Sequence, residues 1–302
     1  MTRSAPLGLP PKPRTAAADD PPAAHVRARL DEQLRALTEH EAVAREGADP
    51  EGVHQMRVAV RRMRAAVKAS GEPDLAPVQA ELRWLGGILG RIRDLDVLLG
   101  HLREQAADLD SAEQAAVERL LGGLVDERRR ARRRMLDAFR GQRYAALLAS
   151  LAEVATSAVP RVKKSRKEAP ALLDVVVKPH RKLAKAANAL GDDPPDDELH
   201  ALRISGKRLR YAAELVEPVG GKPVRKLIKA TKLFQEILGD HQDTVVAEEE
   251  VRRLLAEQTE VDQEVIFVAG RLVEREQARR ADRKARWRDA FDEVDRQATA
   301  LG

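Results

Sequence analysis

Residues 53–66 read VHQMRVAVRRMRAA, and residues 199–213 read LHALRISGKRLRYAA. His54, Arg57, Arg61, Arg62, Met63 and Arg64 of the first align with His200, Arg203, Lys207, Arg208, Leu209 and Arg210 of the second. A second pair of blocks follows in the same order and at nearly the same offset. In LGGILGRIRDLDVL (85–98) and FQEILGDHQDTVVA (234–247), Ile88, Leu89 and Gly90 match Ile237, Leu238 and Gly239, and Asp94 matches Asp243. Two motifs repeated in order imply two copies of one supersecondary unit. That restricts the fold far more than composition does.

The unit reads as helical. Apolar residues recur with the helical period from near His25 almost to the end, and no convincing run alternates as a strand would. Ala, Leu, Arg and Glu dominate, and these favour helix. Gly and Pro punctuate the pattern at 47–50, 71–77, 141, 159–170, 191–195 and 218–223. These breaks leave about eight helices, roughly four on each side of the linker TSAVPRVKKSRKEAP (156–170). The expected fold class is all-α: an internally duplicated four-helix unit, with halves at 25–155 and 171–302 packed around a pseudo-twofold axis. Residues 1–24, rich in Pro and Ala and without the apolar core of a signal peptide, are expected to be a disordered leader. Residues 271–302 are expected to form a charged, amphipathic terminal helix.

The chain of 302 residues is 43% hydrophobic and 34% charged, which suits a helical protein with a sizeable core. Cys is absent, which excludes disulfides, thiolate nucleophiles and Cys-ligated zinc or iron–sulfur centres. No apolar run is long enough to span a bilayer, so no membrane partner and a cytoplasmic location are expected.

The repeated block carries the chemistry. On a helix, His54, Arg57, Arg61, Arg64 and Lys68 fall in one stripe about 80° wide. Val53, Met56, Val60, Met63 and Val67 form an apolar stripe beside it. The basic stripe therefore borders the core. His200, Arg203, Lys207 and Arg210 repeat the geometry beside Leu199, Leu202 and Leu209, while Arg62 and Arg208 point elsewhere. Like charges at i, i+3 and i+4 repel, and partial burial without partners costs more. A multiply charged anion offsets both. Arg offers a planar fork of donors to phosphate oxygens and Lys a mobile point charge, while His can gain a proton among anions. From residue 54 to 68 the stripe runs about 21 Å, more than one phosphate needs. Lys222, Arg225, Lys226, Lys229 and Lys232 form a third basic segment, mostly away from Leu227, Phe234 and Leu238. Of these, Lys226, Lys229 and Lys232, with Lys68, are additional candidates.

The alternative for any single stripe is a solvated helix face, or a set of arginines paired with carboxylates of neighbouring helices. DERRRARRRM (126–135) and RVKKSRK (161–167) read that way, as surface and charged linker. His25, His40, His101 and His180 have no repeated context and read as incidental. Asp94 and Asp243 read as residues that fix an Arg or cap a packing motif. Nucleic-acid binding is a competing function, although aromatics make up only 3% of the chain, leaving little for base stacking. A phosphate-metabolism enzyme with paired His and an Asp-held Mg²⁺ is a third reading. No P-loop, HExxH or Ser/His/Asp arrangement supports catalysis, so no catalytic residue, metal or cofactor is expected.

At these residues the sequence resembles the CHAD family, the conserved histidine α-helical domain. VHQMRVAVRRMRAA with LGRIRDLDVL, then LHALRISGKRLRYAAE with FQEILGDHQD, carry the resemblance, which covers roughly residues 25–300. It implies two four-helix bundles related by pseudo-symmetry, inorganic polyphosphate bound in a basic central cavity or groove, and in bacteria association with polyphosphate granules. The implied binding set is His54, Arg57, Arg61 and Arg64 with His200, Arg203, Lys207 and Arg210. His241 and Gln242 stand where the first half has Ile92 and Arg93, so the halves need not bind equally. The ExExK strand of a fused CYTH-type triphosphatase domain is missing. The resemblance thus implies a stand-alone polyphosphate binder, with other granule proteins as further partners.

Overall fold

The computed structural model describes residues 8–16, 20–70, 72–158, 174–191, 193–258 and 262–301. Among these every regular element is helical. In chain order they are α1 (Pro22–Glu39), α2 (Glu41–Glu46), α3 (Glu51–Ser70), α4 (Ala76–Gln105), α5 (Ser111–Leu120), α6 (Gly122–Arg140), α7 (Gln142–Thr156), α8 (Asp174–Asn188), α9 (Asp196–Glu257) and α10 (Gln263–Thr299). A 3₁₀ turn, Pro73–Leu75, precedes α4. The described chain thus holds ten helices where about eight were expected.

The difference comes from boundaries that no Gly or Pro breaks. Asp110 caps α5: its carboxylate accepts from the N–H groups of Ala112 and Glu113 at 2.9 Å, and Glu113 accepts from the Asp110 N–H at 3.2 Å. That reciprocal pair is a capping box. Asp262 caps α10, accepting from the Val265 N–H at 2.7 Å. The turns at His40 and Leu121 keep right-handed helical dihedrals; no breaker stands at His40, and Gly122 and Gly123 after Leu121 open α6 as helix. In contrast, Gly47 ends α2 at φ +74°, and Gly221 breaks α9 at φ +57°, left-handed conformations that only glycine adopts readily. The expected break at 218–223 is therefore a kink between two helical limbs, 196–220 and 222–257. Most of the 156–170 linker lies outside the described residues.

Two compact units make up the chain. The first comprises residues 1–101 and 121–164, the second 102–120 and 165–302. The end of α4 and all of α5 therefore belong with the second unit. There Arg271 pairs with Glu113, Arg275 with Asp108, and Arg119 with Asp262 and Glu264. In the first unit the core is built on Leu30, Leu34 and Leu37 of α1, Met56, Val60 and Met63 of α3, Leu82, Leu85 and Leu89 of α4, and Leu147 and Leu151 of α7. Part of the leader read as disordered is placed here: Arg14 donates to the carbonyls of Ala155 and Ser157 at 2.8 Å, and Arg35 to that of Pro10 at 2.6 Å. In the second unit Leu199, Leu202, Leu209 and Val216 meet Val224, Leu227, Phe234 and Leu238 of the other limb, closed by Trp287, Phe291 and Val294 of α10. No described helix is long and apolar enough to cross a membrane.

Candidate anion-binding site

In the first unit α3 turns its apolar stripe fully inward: Val53, Met56, Val60, Met63 and Val67 are all buried. That fixes the basic stripe at the margin of the core. His54, Arg57 and Arg64 are half-buried, while Arg61 and Lys68 are exposed. The facing surface is α4, which offers glycines. A Cβ placed on Gly90 would lie 2.6 Å from Arg57 Nη1, and one on Gly86 would lie 3.5 Å from Arg64 Nη1. The guanidinium of Arg57 thus rests directly on helix backbone, and Asp94, one turn further along α4, holds it with Nη1 to Oδ1 at 3.3 Å.

The second unit places its residues in the same way. Leu199, Leu202 and Leu209 are buried, and His200, Arg203, Lys207 and Arg210 are half-buried. A Cβ on Gly239 would lie 3.6 Å from Arg203 Nε, so Arg203 covers the glycine that matches Gly90. His200 Nδ1 is 2.7 Å from Gln242 Oε1. With the Nδ1–H donating to that amide oxygen, Nε2 is left for a ligand. Arg210 Nε lies 3.5 Å from Glu214 Oε1, outside good hydrogen-bond distance. Lys226, Lys229 and Lys232 are exposed on the second limb and make no ion pair among the described residues.

Counter-charge is sparse along the stripes. Several arginines elsewhere find carboxylates: Arg27 with Glu72 at 3.1 Å, Arg103 with Glu118 at 2.7 Å, and Arg280 with both Asp196 at 3.2 Å and Glu248 at 2.7 Å. Among the described residues His54, Arg61, Arg64, Lys68 and Arg203 pair with no carboxylate. The Nε atoms of Arg64, Arg203 and Arg210 are also shut off from solvent with no hydrogen-bond partner. An unsatisfied buried donor costs about 1–3 kcal/mol, more when charged. The internally paired alternative therefore accounts for Arg57 with Asp94 and for the long contact of Arg210 with Glu214, but not for His54, Arg61, Arg64, Lys68 or Arg203.

Other expectations resolve individually. Within 126–135, Arg128 pairs with Asp96, and Arg132 donates to the carbonyls of Arg45 and Glu46 at 2.7 and 2.8 Å, so part of that run is structural rather than solvated. His180 is not incidental: its Nε2 lies 2.8 Å from Asp295. His241, beside Gln242, is buried with Nε2 3.1 Å from Asp196 Oδ1. Burial, with Arg280 and Lys284 nearby, holds its pKa below the ordinary value against the pull of Asp196. No group of three His, Cys, Asp or Glu among the described residues is placed to share a metal ion.

The CHAD domain family model matches residues 28–252, which include both stripes and both glycine motifs. The chain belongs to the CHAD family. A solved structure agrees with that membership. The crystal structure of the CHAD domain from the plant Ricinus communis superposes with a TM-score of 0.68 at 29% identity, covering 96% of each chain. PptA from Streptomyces chartreusis superposes with a TM-score of 0.65 at 21% identity over 90% of this chain and 98% of its own, a likeness of fold. An uncharacterized protein of Mycobacterium tuberculosis, found in the strains CDC 1551 / Oshkosh and ATCC 25618 / H37Rv, is 34% identical over 242 residues. That alignment takes in 76% of this chain and 45% of the relative, so the CHAD chain spans less than half the length of those relatives.

The sequence pattern missed three features of the site. Gln242, which lies within 2.7 Å of His200 from the far limb of α9, was marked only as the residue standing where the first half has Arg93. Gly86 and Gly90 read as parts of a motif, not as the floor beneath arginines. The match of Arg57 to Asp94 agrees with the reading of that Asp as an Arg-fixing residue.

Proposed function

We propose that this CHAD protein binds inorganic polyphosphate through His54, Arg57, Arg61 and Arg64 and through His200, Arg203, Lys207 and Arg210, with Lys68, Lys226, Lys229 and Lys232 extending the basic surface. Some members of the family bind polyphosphate. The observation that carries the reading is that the half-buried repeated cations His54, Arg64 and Arg203 pair with no carboxylate among the described residues. An extended chain of phosphates supplies acceptors at every turn of such a helix and offsets the repulsion within it. The shared seating of Arg57 over Gly90 and Arg203 over Gly239 fits two copies of one binding unit. The function is binding without catalysis, and granule association with other granule proteins follows from the ligand.

The test is titration with long-chain polyphosphate at near-physiological salt, with duplex DNA as competitor. Tight binding that excess DNA barely displaces is the expected result. Arg57→Glu with Arg203→Glu should weaken binding at least about a hundredfold, since each removes a charge-assisted contact and adds repulsion. Helical content should stay unchanged. A folded double variant that still binds normally overturns the assignment. Equal competition by DNA favours the nucleic-acid reading, and phosphate released from polyphosphate with Mg²⁺ favours the enzymatic one. A fluorescent fusion that stays diffuse in granule-containing cells would overturn the granule association.

A further inference from the structure

Arg208 matches the repeated motif yet projects away from the stripe, about 100° around the helix from Lys207. The structure gives it another setting. In the second unit a cavity of about 350 Å³ opens between α8 and the first limb of α9, lined by Val175, Lys178, Pro179, Lys182, Ser205 and Arg208. Lys178 and Lys182 stand one turn apart on α8, and Ser205 and Arg208 one turn apart on α9. All three cations are exposed, and none pairs with a carboxylate among the described residues. No acid lines the cavity. Val175 and Pro179, again one turn apart, give it an apolar wall.

We propose that this cavity is a second anion site, for a small organic phosphomonoester, separate from the polyphosphate stripe. The cations converge from two helices, as a phosphate requires, whereas a solvated face would spread them along one. The volume falls at the lower end of small-molecule pockets and exceeds what a lone phosphate fills. The Val175 and Pro179 wall has no use for inorganic phosphate but would cover the organic part of an ester. Ser205 Oγ already donates to the Ala201 carbonyl at 3.1 Å, leaving the phosphate to the three cations. The site needs nothing from His200, Arg203 or Arg210.

The experiment is calorimetric titration of the full chain with phenyl phosphate and with inorganic phosphate, repeated with long-chain polyphosphate at saturation. Phenyl phosphate should bind with one-to-one stoichiometry, about tenfold more tightly than inorganic phosphate. Lys182→Gln and Arg208→Gln should each weaken it by about tenfold or more, and Lys178→Gln similarly, all at exposed positions that leave the core intact. Arg57→Glu with Arg203→Glu should leave it within about twofold, since both lie on other helix faces. Four results would overturn the proposal: no saturable binding, equal affinity for inorganic phosphate, displacement by polyphosphate, or indifference to Lys182→Gln and Arg208→Gln. Because the two sites use different ligands and variants, failure here is distinct from failure of the polyphosphate reading.

Discussion

Replacing Gly90 by alanine separates ligand binding from stability. The added Cβ would lie 2.6 Å from Arg57 Nη1, and among the described residues Arg57 is its only side-chain neighbour within 4 Å. A carbon cannot stay that close, so the far end of the arginine must move by the better part of an ångström. That movement also disturbs its 3.3 Å contact with Asp94. The helix itself gains, because alanine in a helix interior is favoured over glycine by about 0.8–1.0 kcal/mol. A charge-assisted hydrogen bond contributes about 1.5–3 kcal/mol, and misplacing one should forfeit part of it. Polyphosphate affinity should therefore fall about five- to tenfold while Tm stays level or rises. Two controls bracket the effect. A Cβ on Gly87 would meet nothing within 4 Å among the described residues, so Gly87→Ala should raise Tm and leave affinity alone. Gly239→Ala meets Arg203 only at 3.6 Å, ordinary contact, so its affinity should stay within about twofold. Titration calorimetry and thermal melts on the three variants decide it. If Gly90→Ala binds as Gly87→Ala does, the seat of Arg57 does not matter to the ligand. If it melts well below the parent, the clash is relieved by the backbone instead.

Gly206→Ala should behave in the opposite way. Its Cβ would lie 2.9 Å from the ring of Phe234, which is fully buried and cannot swing out. Overpacking of about 1–3 kcal/mol should exceed the helix gain and lower Tm, and a raised Tm would refute that packing. His241 makes stability depend on pH. Its depressed native pKa means the unfolded chain takes up the proton first, so stability falls as pH drops below about 6.5 and levels off under the native value. Melts at pH 7.5 and 5.0 should show a drop that His241→Gln flattens. Glu248, whose pKa is lowered from 4.5, acts only in a more acidic window. An equal drop in both proteins would assign the effect to another group.

Much of the site was legible because a helix converts spacing into direction. Once Val53, Met56, Val60, Met63 and Val67 go inward, His54, Arg57, Arg61 and Arg64 have no choice but the margin of the core. The same holds for Leu199, Leu202 and Leu209 with His200, Arg203 and Arg210. Boundaries were legible where glycine takes a left-handed turn, as at Gly47 and Gly221. They were lost at His40, where a helix ends without any breaker, at Leu121, where Gly122 and Gly123 continue as helix, and at Asp110, where a side-chain cap does the work.

The sequence by itself determined the helical class, the repeated blocks and the face on which each repeated cation lies, because these are local consequences of period and propensity. Only the tertiary structure decided which cations are neutralised. Arg57 meets Asp94, Arg280 meets Asp196 and Glu248, and Arg64 and Arg203 meet no carboxylate among the described residues. It also placed Arg208 with Lys178 and Lys182 around one cavity, and residues 102–120 with the second unit. Charge pairing acts over a few ångströms through space, between side chains whose separation along the chain carries no information until the helices pack.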